Sequence, residues 1–486
     1  MYDLEATIVQ KSINSLPVKM LAYNGSVPGP LIKVKQGSEV TINFTNNTDV
    51  ETTIHSHGIR LQNEFDGTPD LTQEPIPVGG TFTYKIKFPD AGMFWYHPHV
   101  REDYAQELGL YGNYLVVADD PNYWQPVNQE VPLMIDDILL ENGQIASFDR
   151  SVADHTLMGR FGNTMLVNGE TNYQLQAKQG EVIRFYLTST ASTRTFNVTI
   201  PNAKMKLVGA DGGKHERETF VDSVIISPSE RAIIEVLFDK VGTYTLHHKT
   251  PEKTYTLGTI NVSSDKAVLS YLGQFNILRT NQDIIASIDS LRSVFDKAPD
   301  KKLALTIDMM GMGNMGGNMM SGSGGHMMGN DQMMSGMMTP LRQGSAGQVG
   351  GAGDPIEWED ANPIMNQMST TQMLQWKITD QATNKSNMDI DWKFKVGDKV
   401  KVSIFNDPKS AHPMQHPIHF HGQRFLVLST NGIKNDNLVW KDTTLIKNGD
   451  TVELLVEMSN PGTWMAHCHI AEHLEDGMMF SFKVNP

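Results

Sequence analysis

KQGSEVTINFTN, residues 35–46, is a Gly turn that feeds a strand, and the same phrase returns as KQGEVIRFYLTST from Lys178 and KVGDKVKVSIFND from Lys395. Apolar and polar residues alternate in it, as they do in TFTYKIKF (81–88) and RAIIEVLF (231–238), so these stretches read as half-buried strands. A second phrase closes each copy. Gly92 is followed by His97 and His99, Gly242 by His247 and Lys249, and Gly462 by His467 and His469, with the same offsets each time. The two phrases lie 55, 62 and 65 residues apart, room for a Greek-key sandwich of short strands. Two phrases recurring in one order make chance a poor explanation and imply three related all-β domains. Their expected bounds are 1–123, 124–265 and 301–486, with a linker over 266–300. Within that linker, DIIASIDSLRSVFDK (283–297) spaces Ile284, Ile285, Ile288, Leu291, Val294 and Phe295 as one face of a short helix.

Composition bounds the function. The 486 residues ask for about three domains. Forty basic against 55 acidic side chains leave a net charge of −15, the wrong sign for a nucleic-acid binder. No stretch approaches the ~18 apolar residues of a membrane span, and MYDLEATIVQ at the start lacks the regions of a signal peptide, so the chain is expected either to be cytosolic or to have lost a leader. Cys468 is the single cysteine, which excludes an internal disulfide. Two counts stand out, 28 Met and 16 His, and both point towards copper.

Ten histidines sit in four clusters: HSHG (His55, His57), HPH (His97, His99), HPIHFH (His416, His419, His421) and HCHIAEH (His467, His469, His473). On a strand, residues i and i+2 share a face, so His467 and His469 face together while Cys468 faces away, and one strand serves two metal sites. A Cys thiolate, two imidazoles and a weak axial Met form the ligand set of a blue-copper centre. Cys468, His473, Met478 and an upstream His supply it. The other eight histidines come in pairs from the first and third copies, as an interdomain site requires. A zinc finger fails for want of cysteines, and nothing favours a Cys/His hydrolase over a metal.

The four clusters, their order and their spacing resemble the multicopper oxidase family over the whole chain. The resemblance implies three cupredoxin domains and four copper ions. It makes His416, Cys468 and His473 the type 1 ligands with Met478 axial. His55 and His419 would hold type 2 copper. The type 3 pair would use His57, His97 and His469 on one ion and His99, His421 and His467 on the other. The middle domain, with Lys249 where a ligand would fall, would carry none. Substrate would lose electrons at the type 1 site, and Cys468 with its neighbours His467 and His469 would connect that site to the trinuclear cluster, where dioxygen becomes water. Asp66 in NEFDGTP matches the family's acid after the HxHG motif. Many bacterial relatives carry Glu directly after the last type 1 His; here that position is Leu474 and the acid is Glu475.

Twelve Met fall in residues 309–338, and the Gly-rich run reaches about 353, a composition that builds no packed core. Soft thioether sulfur selects Cu(I). The tract, with Met309, Met310 and Met312, resembles the Met-rich insert of bacterial cuprous oxidases, and Met414 matches a substrate-copper Met of that subfamily, although its Asp is replaced here by His412. The expectation is a laccase-like oxidase of phenols and of metal ions such as Cu(I), with O2 as acceptor, extra Cu(I) on the Met tract, a monomeric state and a periplasmic or extracellular location. The alternatives are a copper-sequestering protein without turnover and a copper nitrite reductase.

Overall fold

In the computed structural model, which describes residues 1–149, 152–309 and 354–486, the repeated phrases fold into three β-sandwiches. Gly37, Gly180 and Gly397 adopt φ of +76°, +87° and +98°, a left-handed turn that is sterically open to glycine and costs other residues ~1–2 kcal/mol. Each turn releases the chain into a long strand: Glu39–Asn47, Glu181–Ser189 and Lys399–Asn406. The closing phrases become Gly92–His97, Gly242–Lys249 and Gly462–Cys468. In every copy these two strands lie in different sheets. The strand before each Gly turn pairs in parallel with the last strand of its module, Ile32 opposite Tyr114, Tyr173 opposite Gly258 and Trp392 opposite Phe482. The chain thus crosses between sheets instead of meandering within one, the connection of a Greek key. Each sandwich has its own aromatic core: Phe44, Tyr84 and Phe94; Phe185, Phe196 and Phe238; Trp376, Phe420, Trp464 and Phe480.

Two expectations need correcting. Half-burial holds for Glu39–Asn47, where buried residues alternate, but Glu181–Ser189 and Arg231–Phe238 are buried at every position. The reason is packing between modules. Tyr186 and Ile233, on the outer face of the middle sheet, meet Met93 and Leu115 of the first module, and Arg184 pairs with Glu235 at 2.6 Å. The second correction is to the helix. It runs only from Gln282 to Asp289 and gives way to a 3-10 turn, Arg292–Val294, where Asp289 accepts from the Arg292 guanidinium. Its apolar face behaves as expected: Ile288 and Leu291 are buried against Leu426, Leu428, Trp440 and Leu455 of the third module. Among the described residues, no helix is long and apolar enough to cross a membrane. Met310, Met312 and the rest of the Met tract to 353 lie outside the described residues.

Candidate metal centre

The strand His55–His57 runs antiparallel to Gly92–His97, with His55 opposite His97. In the third module, His416–Phe420 lies between Gly462–Cys468 and Thr443–Ile446, so that His419 faces His467 on one side and Thr443 on the other, and Ile418 faces Cys468. Alternation then sorts the side chains: His467 leaves one face of its strand and Cys468 the other. Among the described residues five buried groups result, each with its ligand atoms within 4.8 Å of one another. They are His416 with Cys468 and His473; His57 with His97 and His469; His99 with His421 and His467; His55 with His57 and His419; and His55 with Asp66 and His421. Histidines grouped from the sequence lie close together here, but His55, His57 and His421 each join two of the groups.

The cysteine group is built by a tight return of chain. Ala471–Glu475 forms a short helix that carries His473, the Cys468 N–H donates to the Met478 carbonyl at 3.1 Å, and the Met478 N–H donates to the His473 carbonyl at 2.9 Å. Cys468 Sγ lies 3.5 Å from His416 Nδ1 and 3.7 Å from His473 Nδ1. Met478 is fully buried in the same core as Cys468. Burial pushes the Cys468 thiol well up and the His416 imidazole down to about 3, so each is held neutral until a cation makes the thiolate favourable.

At the eight-histidine cluster hydrogen bonds to oxygen fix the tautomers of six imidazoles. His55 Nδ1 donates to the Asp66 carbonyl (2.7 Å), His97 Nδ1 to the Pro98 carbonyl (2.7 Å), His419 Nδ1 to the Asp442 carbonyl (2.8 Å) and His467 Nδ1 to the Cys468 carbonyl (2.9 Å). His421 Nδ1 donates to the Asp66 carboxylate at 2.9 Å. His57 is reversed, with Nε2 donating to Asp442 Oδ1 at 3.0 Å. A nitrogen that donates leaves its partner nitrogen as a lone pair. Those lone pairs turn inward: Nε2 of His55, His97 and His419, and Nδ1 of His57, are buried with no protein partner among the described residues. Three further nitrogens almost touch, His421 Nε2 lying 3.0 Å from His467 Nε2 and 3.3 Å from His99 Nε2. Converging acceptors in a dry interior fit metal ions and little else. The donor set, imidazole with one thiolate and one thioether, fits copper.

The carboxyls fall into place unevenly. Asp66 is fully buried; Oδ2 takes the His421 proton and the Thr68 hydroxyl (2.7 Å), and its carbonyl takes that of His55. Among the described residues, Glu475 makes no hydrogen bond or ion pair to a histidine. It accepts the Glu102 N–H at 3.1 Å, and Glu102 in turn lies 3.4 Å from His99 Nδ1. Burial, with Asp103 nearby, pushes Glu475 up to about 7. Met309 ends its strand and is partly exposed, whereas Met414 is fully buried in the third core.

Sequence reasoning missed Trp376, whose ring lies 4.3 Å from that of His473 and 4.7 Å from that of His416. It also missed Asp442, Thr443 and Glu102. Nothing local marks Asp442 and Thr443, which reach His57 from far along the chain and His419 across a strand pair, while Glu102 sits only three residues from His99 in a turn where an acid usually faces water.

The multicopper oxidase family models match residues 6–121, 129–272 and 357–486. The multicopper oxidase mco of Staphylococcus aureus is 26% identical over 472 residues, 96% of this chain and 83% of that protein. Copper resistance protein A of Escherichia coli is 25% identical and covers 99% of this chain and 92% of its own length. The solved multicopper oxidase from Campylobacter jejuni, described as a metallo-oxidase, superposes with a TM-score of 0.69 at 25% identity, over 100% of this chain and 91% of its own. Proteins of this kind are copper oxidoreductases that take O2 as acceptor and hold four copper ions in type 1, type 2 and type 3 sites. Neither sequestration without turnover nor nitrite reduction uses the paired histidines in full, and on sequence, fold and ligand chemistry together the chain belongs to the multicopper oxidase family.

Proposed function

We propose that His416, Cys468 and His473, with Met478 axial, hold the type 1 copper; that His55 and His419 hold type 2; and that His57, His97 and His469 hold one type 3 ion and His99, His421 and His467 the other. The observation that carries this reading is the inward turn of the lone pairs of these buried imidazoles. When bound, the copper ions supply one-electron acceptance from the reductant and the four electrons that take O2 to water. The chain's own residues do the rest. Cys468 is bonded through the main chain to His467 and His469, so a thiolate on one face of the strand is joined to two imidazoles on the other. Asp66 fixes His55 and His421 and stands as one proton-handling acid; Glu475, lined up behind Glu102, stands as the other in place of the acid absent at Leu474. The division at 1–123, 124–265, 266–300 and 301–486 is part of the same proposal.

The reductant we propose is Cu(I), with small phenols also accepted. The segment leading into Trp376 exposes thioethers: Met365, Met368 and Met373 are 58%, 64% and 51% exposed. Beside His416, His412 Nε2 lies 3.7 Å from Glu357 Oε1, so a carboxylate from another segment stands where the cuprous-oxidase Asp is missing. Soft sulfur exposed along the approach suits Cu(I). We place the enzyme in the periplasm or cell exterior, as a monomer, because copper oxidation is kept from the cytosol. The test is oxygen uptake by the copper-loaded protein with Cu(I), Fe(II) and a phenol, before and after deletion of residues 309–353. Turnover of Cu(I) that depends on the deleted residues supports the reading; equal rates of Cu(I) oxidation in both proteins remove the Met-tract role.

A further inference from the structure

The middle module supplies no histidine to the cluster, yet one of its side chains reaches it. Arg231 opens the strand Arg231–Phe238 and is buried with its side chain wholly out of solvent. Its guanidinium grips both carboxylate oxygens of Asp442, at 2.7 Å on Oδ1 and in close contact on Oδ2. Its Nε donates to the Met93 carbonyl of the first module at 3.0 Å, and Nη1 to the Ser229 carbonyl at 2.8 Å. Asp442 belongs to the third module, and it touches two of the proposed ligands. Oδ1 accepts from His57 Nε2 at 3.0 Å, and the carbonyl accepts from His419 Nδ1 at 2.8 Å. Thr443 Oγ1 sits 3.0 Å from the same His57 nitrogen and donates to Asp442 Oδ1. Even the glycine of HSHG is fitted to this pair: a Cβ on Gly58 would stand 2.2 Å from Asp442 Oδ2 and 2.9 Å from Arg231 Nη2.

We infer that Arg231 is a positioning residue for the trinuclear copper site, a contribution from the module without copper ligands, acting through Asp442 to fix which nitrogen of His57 and of His419 faces the metal. The argument rests on the ligand assignment proposed above. A fork of donors on a carboxylate fixes its plane and occupies both of its oxygens as acceptors. In that state Asp442 Oδ1 only accepts, so His57 must place its proton on Nε2 and turn Nδ1 inward. Among the six imidazoles whose tautomer a hydrogen bond to oxygen sets, this one is reversed, and Arg231–Asp442 explains why. An outer partner of this sort typically carries ~10–100-fold of metal affinity or activity.

The test compares the parent protein with Arg231→Lys and Asp442→Asn after copper loading. Lysine keeps the charge and loses the fork; asparagine keeps the volume and offers an N–H to His57. Four readouts are taken: copper per chain, the near-ultraviolet band of the type 3 pair, the electron paramagnetic resonance of type 2 copper, and the blue thiolate band. The blue band reports the Cys468 centre, which neither residue touches. Each variant is expected to keep the blue band and the KM for reductant, to lose type 2 and type 3 signal, and to drop in kcat by ~10–100-fold. Unchanged type 2 and type 3 signals in both variants overturn the inference. So does failure of both to form a folded blue protein, which would make the pair a general strut. A parent protein that itself lacks the type 3 band instead overturns the ligand assignment, so the two failures are told apart.

Discussion

His421 and His467 face one another Nε2 to Nε2 across 3.0 Å, each donating its one ring N–H from Nδ1, to the Asp66 carboxylate and to the Cys468 carbonyl. Two lone pairs at that separation repel, and in a buried site no water relieves them. A cation between them turns the repulsion into ligation. Metal binding is therefore part of the stability of the junction between the first and third modules, because His421 and His467 come from one and His99 from the other.

Removal of copper should expose this in the pH dependence of unfolding. Burial lowers His416 and His467 to about 3 and depresses His57, His97, His99, His419, His421, His469 and His473 in the same direction. A histidine depressed in the folded state contributes its stability in full above the unfolded value, ~6.5, and loses it as pH falls towards the folded value. The Tm of metal-free protein should thus fall steeply between about pH 6.5 and 4, and copper loading should raise it and move the fall to lower pH. Scanning calorimetry of both forms decides; a metal-free Tm flat over that range contradicts the assignment of these groups as buried and neutral.

Replacing Cys468 by Ser keeps the side-chain volume and removes the thiolate. The blue band should vanish and oxygen uptake should fall by more than the ~10–100-fold of an outer-shell change, while copper analysis still finds the ions held by histidine alone. Retained oxygen uptake would sink the assignment.

Asp66→Asn changes charge and donor pattern without changing shape. With one carboxylate oxygen exchanged for an N–H, the buried acceptor shared by His421 and Thr68 is compromised. The expected loss in kcat is ~10–100-fold, with the blue band kept and the near-ultraviolet type 3 band weakened. If kcat falls while both bands stay as they were, Asp66 acts on protons alone and not on ligand orientation.

The exposed thioethers make a sharper case for substrate. Met365, Met368 and Met373 changed together to Leu keep apolar bulk and remove sulfur. The KM for Cu(I) should rise by about tenfold or more, given soft-donor selectivity, with phenol oxidation unaltered. A KM that does not move for Cu(I) would leave these methionines without a part in substrate capture.

The strand phrases and HxH clusters were legible because both obey a period of two, and period two is a local property of the chain. Gly37, Gly180 and Gly397 announced the turns for the same reason. What escaped was long-range. Arg231 reads as the polar end of an alternating strand, and only the docking of three modules turns it onto Asp442, 211 residues away. The full burial of Glu181–Ser189 had the same cause: its polar face is covered by a neighbouring module, which strand alternation does not encode. Glu475 was found from its spacing to His473, but its neighbour Glu102 came from the turn after HPH, where acidic residues usually face water.

Asp136 offers a test that avoids the metal altogether. It is buried in the middle module, with the Tyr111 hydroxyl donating to Oδ2 at 2.6 Å and the Asp137 N–H to Oδ1 at 2.9 Å, and among the described residues no cation pairs with it. Burial pushes its carboxyl up to about 8 from 3.8. A group raised in the folded state gives its stability in full below the unfolded pKa and loses it as pH climbs through the folded value. The window is therefore about pH 4 to 8. Asp136→Asn keeps the shape and cannot ionise, so it should be more stable than the parent at pH 8, by an amount on the order of a few kcal/mol, and the advantage should shrink towards zero near pH 4. Paired thermal melts at the two pH values measure it. An advantage of equal size at both would mean that Asp136 stays charged in the fold, and that the hydrogen bonds from Tyr111 and Asp137 outweigh the loss of water around the carboxylate.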